Sequence, residues 1–376
     1  MSLSRLTEIL KLLIEVDTTN PPGNEKGIVV LLQSLLRGAE LTEFKHDEKR
    51  SSLLAEIGPM RGDRPTLTFI GHMDTVPFSR ENWSYHPLKA TIEAGRMYGR
   101  GSSDMKSGLA CMVHLGEAFL QNPELLKANL RLIFTADEEA GGIGMRVLIE
   151  ENVVSPNELL IIPEPTQMAV AYEEKGAFWF ELEAFGKASH GSAPELGCNA
   201  IDSIYLFKAA LTRKISAENK LVGPTTLSLN RIRGGNKVNV VPDYAVAEFD
   251  LRYPPELSME QLTKALEESA AETAVEGCET RFKILNHRPA LANNQSRLKS
   301  RIQNAMVDLG FEYKEIGVRY YTDLSSFESL GNEFAIIGPG ISDQAHVEDE
   351  YLEIRSLKDT YELYVNLLTK EWPNEY

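Results

Sequence analysis

Four short apolar runs constrain this chain more than anything else in it: "LTFI" at 67–70, "LRLIFT" at 130–135, "LLIIP" at 159–163 and "FAII" at 334–337. Each is almost unbroken in hydrophobicity and too short to be a buried helix. A strand reads this way when both of its faces are buried, and such strands belong to sheets covered by helices on both sides. A shorter run at 53–57 reads the same way. Between the runs, apolar residues recur at three- and four-residue spacing over 4–16, 25–38, 105–120, 143–151, 296–309 and 356–370, which predicts helices. Strands alternating with helices indicate an α/β domain.

The pattern changes near residue 176. Residues 177–186 alternate as a strand, 199–214 are helical, and 225–232 and 244–253 are strand-like with "GGNK" near their junction. Residues 258–274 are helical and 280–285 form a strand. That order is β-α-β-β-α-β, a ferredoxin-like arrangement. A small α+β domain over 175–287 is therefore expected inside a larger α/β domain made of 1–174 and 288–376.

Charge and cysteine usage narrow the function. A formal net charge of −16 argues against a nucleic-acid partner, which would require a basic stripe. No apolar stretch approaches membrane-spanning length, so no membrane is expected. The N-terminal "MSLSRLTEILKLLIEVD" lacks the apolar core and cleavage site of a signal peptide. Cys111, Cys198 and Cys278 are scattered and show no CxxC spacing, which suggests neither a disulfide framework nor a thiolate zinc site. The expectation is a reduced, cytoplasmic protein.

In an open α/β sheet, ligands bind beyond the carboxyl ends of the strands. The polar residues that follow each apolar run are therefore informative. "GHMDTVP" carries His72 and Asp74, two residues apart and so on one side of an extended segment. The loop "RMYGRGSSDMKSG" carries Asp104, and "ADEEAGG" carries Asp137, Glu138 and Glu139. Glu164 follows "LLIIP", and His346 lies in "GPGISDQAH". So many carboxylates at one rim would repel one another without a cation. Two divalent ions sharing one bridging carboxylate resolve this. Histidine and carboxylate ligands without cysteine suit zinc, and also cobalt or manganese.

Six stretches carry a resemblance: "GHMDTVP", "GRGSSDMKSG", "TADEEAGG", "PEPT", "KASHGSAPELGCNAI" and "GPGISDQAH". In this order they resemble the motif set of the metallopeptidase family containing acetylornithine deacetylase, succinyl-diaminopimelate desuccinylase, aminoacylase and the glutamate carboxypeptidases. The resemblance implies a metallopeptidase-type α/β catalytic domain with a mixed central sheet flanked by helices, and an inserted ferredoxin-like lid that carries a homodimer contact in many members. It implies Asp104 as the bridging carboxylate, His72 and Glu164 completing one metal, and Glu139 and His346 completing the other. Glu138 would be the general base, and Asp74 would hydrogen-bond His72. His190 would be the lid histidine that in dimeric members reaches the partner's site; its other reading is a loop histidine capping the helix near Asn199. The resemblance also implies a cis peptide between Asp104 and Met105.

A substrate carboxylate needs cationic or amide donors, for which Asn239, Arg252 and Arg288 are the candidates. Each arginine fits a surface ion pair equally well. Gly338 and Gly340 would leave room for the substrate backbone, with Thr322 nearby. His86, His114 and His287 match no motif and read as structural. The implied activity is cleavage of the amide bond of an N-acyl amino acid in amino-acid metabolism, by an acetylornithine deacetylase-like or succinyl-diaminopimelate desuccinylase-like enzyme. The segment 171–201 resembles the deacetylases more than the desuccinylases. The alternative enzyme is a dipeptidase or carboxypeptidase of the same family. A non-catalytic binding protein would show loss of Glu138 or of a ligand, and every one is present.

Overall fold

The computed structural model describes residues 3–274, 276–293 and 296–372. The chain divides into two compact units. The first comprises Met1–Tyr172, Asn293–Ile316 and Ser326–Tyr376, and the second comprises Glu173–Ala292 and Gly317–Ser325.

The first unit is built on a mixed sheet. Glu40–Lys45 at its edge pairs antiparallel with Ser51–Ile57, which pairs antiparallel with Asn129–Thr135. Then Thr66–His72, Leu159–Ile162 and Phe334–Ile336 follow, each parallel to the strand before it. Ile336 pairs antiparallel with Ala171 in the next strand. The apolar runs are thus the four parallel strands at the centre. Every residue of Asn129–Thr135 and Leu159–Ile162 is buried, which requires cover on both faces. Helices Leu3–Glu15, Lys106–Gln121 and Ile354–Thr369 pack against one another. Leu10, Leu13, Leu109, Val113, Leu363 and Leu367 from these helices lie in one core with Leu67, Phe69 and Leu132 of the sheet. Each such side chain contributes about 1.5–3 kcal/mol by leaving water.

Because the four central strands run the same way, their carboxyl ends share one edge. That edge receives His72 directly, since strand Thr66–His72 runs two residues past the apolar run. It also receives the segments that begin after Thr135, Ile162 and Ile336. Glu40–Lys45 was not expected. None of its residues is buried and Glu40, Glu43 and Lys45 are charged, so it lacks the apolar signature of its buried neighbours.

The second unit holds a four-stranded antiparallel sheet in the order Thr226–Gly234, Tyr244–Tyr253, Gly176–Phe185, Glu279–Arg288. Helices Ala200–Lys214 and Met259–Thr273 share its core with Phe178, Phe180, Phe249 and Leu251. This is the ferredoxin-like order. Asn199 caps the first helix, accepting from Ile201 N and Asp202 N, and Ser258 with Gln261 forms a capping box on the second. Residues 317–325, far from this segment in sequence, also group with it. Lys175 N donates to Val318 O (3.1 Å), and Thr322 donates to the buried Glu174 carboxylate.

The cysteine expectation is corrected here. Cys198 and Cys278 form a disulfide across 80 residues of sequence, and only Cys111 is free and buried. No spacing rule reveals a pair so far apart; the fold does, by setting Cys198, two residues before helix Ala200–Lys214, beside Cys278 at the start of strand Glu279–Arg288. Cysteine usage therefore lends no support to a reducing compartment. Among the described residues, no helix is long and apolar enough to cross a membrane.

Candidate metal centre

The Asp104 carboxylate stands between two imidazoles. Its Oδ1 lies 3.2 Å from His72 Nε2, and its Oδ2 lies 3.4 Å from His346 Nε2. Glu164 Oε1 is 3.6 Å from His72 Nε2, and Glu139 Oε2 is 3.1 Å from His346 Nε2. Two donor triads result, His72–Asp104–Glu164 and Asp104–Glu139–His346, with the ligand atoms of each all within 4.8 Å of one another. The first triad is buried, whereas the His346 side chain is 52% exposed, so the second opens to solvent. One carboxylate offering an oxygen to each triad, with only nitrogen and oxygen donors, fits a pair of divalent cations such as zinc. The Asp104–Met105 peptide is cis.

The electrostatics of the cluster follow from its crowding. Burial pushes the Asp104 carboxyl up, but hydrogen bonds from His346 and His72 outweigh that and hold it far below the usual carboxylate range. Hydrogen bonds to Asp104 and Glu139 raise His346 to about 10. His72 is raised well above its ordinary value: burial opposes its charged form, yet Asp104, Glu164 and Glu138 together overcome it. Glu139 is raised, chiefly by burial.

Asp74 meets His72 through its backbone carbonyl rather than its carboxylate. His72 Nδ1 lies 3.0 Å from the backbone carbonyl of Asp74 and 3.7 Å from its carboxylate. The fully buried carboxylate instead accepts from the backbone N–H groups of Glu138 and Glu139, both at 3.2 Å, and from Asn20 Nδ2 at 2.8 Å. Asp74 thereby holds the "DEE" turn against the strand bearing His72. Asn20 Nδ2 also reaches Asp137 Oδ1 (2.9 Å), and Arg50 Nη2 bridges Asp137 Oδ1 (2.9 Å) and Glu25 Oε1 (2.6 Å). Lys106, fully buried, donates to the carbonyls of Leu13 (3.0 Å) and Val16 (2.9 Å), so the Asp104 turn is tied to the end of helix Leu3–Glu15. Burial lowers Lys106 to about 7.

None of Asn20, Glu25, Arg50 or Lys106 was singled out in the sequence. The one signal was "TTNPPGN", whose paired prolines mark a fixed turn at Asn20; both X–Pro bonds there are cis. Gly338 and Gly340 have a more local cause than room for substrate. A Cβ on Gly338 would sit 2.3 Å from Pro163 O, and one on Gly340 would sit 2.2 Å from Ser103 O. Their bareness lets segment 338–340 close on the Glu164 and Asp104 segments.

The remaining candidates lie in the second unit. His190 is exposed, with Nδ1 2.8 Å from Ser192 Oγ. It bridges Val240, while Gly191 N donates to Asn239 O (2.8 Å), so the His190 and Asn239 loops are stitched together. Arg252 forks onto Asp250, at 2.7 and 3.2 Å, and lies 5.5 Å from the Tyr321 ring centroid, with Arg288 at 5.8 Å from the same ring. Thr322 is buried and donates from Oγ1 to Glu174 Oε2 (2.8 Å). Of the histidines outside the motifs, His114 stacks on Tyr361 and His287 bonds Tyr253.

Comparison with known proteins places this geometry. The profile of peptidase family M20/M25/M40 matches residues 68–370. A protein named probable succinyl-diaminopimelate desuccinylase, from Staphylococcus aureus strain MSSA476, is 31% identical over 96% of this chain and 95% of its own. An acetylornithine deacetylase of Buchnera aphidicola subsp. Acyrthosiphon pisum is 25% identical over 96% and 97%. Over the whole chain the desuccinylase likeness is the stronger of these two. A solved M20 family metallo-carboxypeptidase from Sulfolobus solfataricus superposes with a TM-score of 0.78 at 18% identity, covering 98% of this chain and 99% of its own. The central sheet, the motifs along its edge and the match over 68–370 agree: this chain is a hydrolase and belongs to peptidase family M20/M25/M40.

Proposed function

We propose that this protein is a two-metal amidohydrolase that cleaves the amide bond of an N-acyl amino acid. The observation that carries the reading is the shared Asp104 carboxylate, one oxygen toward each histidine–carboxylate pair. Two zinc ions, or cobalt or manganese, held by His72, Asp104 and Glu164 and by Asp104, Glu139 and His346, would acidify water and offset charge on the amide oxygen. Glu138 takes the proton of the attacking water and returns it to the departing amine. Asp74 positions Glu138 and Glu139 through their backbone N–H groups. His190 donates to the oxyanion. Asn239, Arg252 and Arg288 receive the substrate carboxylate, with Thr322 beside it. The S. aureus relative's name favours a succinyl over an acetyl group.

A panel assayed after zinc loading tests this: N-succinyl and N-acetyl derivatives of basic and acidic amino acids, with dipeptides beside them. Faster turnover of the N-acyl amino acids is expected, with succinyl ahead of acetyl. Turnover of dipeptides alone would move the reading to a dipeptidase or carboxypeptidase.

The second unit is proposed as a lid that pairs two copies in a homodimer, with His190 of one completing the site of the other. Mixing Glu138→Ala and His190→Ala homodimers under conditions of subunit exchange should restore activity. In that arrangement one site of each mixed dimer carries both defects and the other carries neither. If the mixture stays inactive after exchange is shown by mass, His190 acts within its own chain.

A further inference from the structure

We infer that Glu350 is a positioning residue for the metal centre, locking the turn that bears Asp104 to the segment that bears His346. The inference deepens the proposed two-metal reading and rests on it for its metals. Glu350 is fully buried, four residues beyond His346 and outside both donor triads.

Its carboxylate is saturated by one turn. Oε1 accepts from Ser103 N (2.7 Å) and Asp104 N (3.0 Å), and Oε2 accepts from Gly101 N (3.0 Å) and Arg100 Nη1 (2.7 Å). Its backbone carbonyl accepts from Gly99 N (2.9 Å). Five consecutive or near-consecutive donors of 99–104 thus converge on one residue. The surrounding contacts run the same way. Tyr351–Glu353 pairs antiparallel with Arg96–Tyr98, Ser103 Oγ and Ile341 exchange hydrogen bonds, and Gly340 lies against Ser103.

A buried carboxylate accepting backbone N–H groups has a geometric effect that a hydrophobic contact lacks. It fixes the peptide planes on both sides of Ser103, and with them the direction in which Asp104 leaves the backbone. Asp104 must offer one oxygen to each triad, so a small rotation there is felt twice. Partners of metal ligands typically alter affinity 10–100-fold when removed. The amide isostere is not neutral here. Whichever way glutamine turns, its NH2 faces two of the four donors.

The test is metal uptake by the full-length protein, read by competition with a chromophoric chelator for zinc and by the visible spectrum of the cobalt-loaded form. Glu350→Gln is compared with Glu158→Gln, which breaks a second buried pair, Arg131 Nη1–Glu158 Oε1 at 2.6 Å, outside the metal site. Both variants should melt below the wild type. Only Glu350→Gln should weaken zinc uptake, 10–100-fold, and change the cobalt spectrum. Equal uptake by Glu350→Gln and the wild type overturns the inference. So does equal loss in both variants, which would mark general destabilisation. If Glu350→Gln does not fold, Glu350→Asp takes its place, keeping the charge but withdrawing it from the turn. Failure of both to fold also overturns the inference, because the carboxylate would then serve the fold as a whole. A wild type that binds two ions yet hydrolyses no amide would sink the proposed reaction and leave this uptake comparison standing.

Discussion

Asp104→Ala is expected to reduce metal content from two ions per chain to none at micromolar metal, with hydrolysis lost entirely. The effect should exceed that of any other single ligand. Asp104 alone serves both triads, with Oδ1 toward His72 and Oδ2 toward His346. Without it, each triad falls to two donors, one short of the three protein ligands usual in catalytic zinc sites. Glu164→Ala, by contrast, removes a donor from one triad only and should leave one ion bound. Metal analysis of dialysed protein separates the two outcomes. Two tightly bound ions in Asp104→Ala would mean that the triads are not a shared site.

Glu138→Gln should do the opposite, keeping both ions and losing turnover. A general acid–base group contributes roughly 10²–10⁴-fold, or about 3–5 kcal/mol of barrier. Glu138 lies outside both triads, next in sequence to Glu139 of the second triad and held through its backbone by Asp74. The glutamine variant keeps shape but cannot carry the proton. Its kcat should fall while KM and metal content hold. If Glu138→Gln loses an ion and Glu139→Gln keeps both with kcat down, the two roles are exchanged.

The central strands and the donor residues after them were legible in the sequence for one physical reason. Parallel strands buried on both faces must be apolar throughout, so the polar residues that end them stand out. His72, Glu139 and Glu164 are visible on that ground alone. Glu350 and Asn20 were not, because their importance lies in which backbone N–H groups and carboxylates the fold brings to them. The same holds for Asp74, whose carboxylate finds its backbone partners Glu138 and Glu139 64 and 65 residues further along the chain. The edge strand Glu40–Lys45 was hidden by its charges. The Cys198–Cys278 pair and the grouping of 317–325 with the second unit depend on contacts across long sequence distances, which leave no local trace.

The claim at the centre of this account is that amide hydrolysis depends on metal held at Asp104. It is tested most directly by following one preparation through chelation and reloading, with N-succinyl amino acid hydrolysis and metal content measured at each stage. Activity should disappear as the metal is stripped and return with the second equivalent of zinc, cobalt or manganese. Full hydrolysis by protein shown to be metal-free would contradict it.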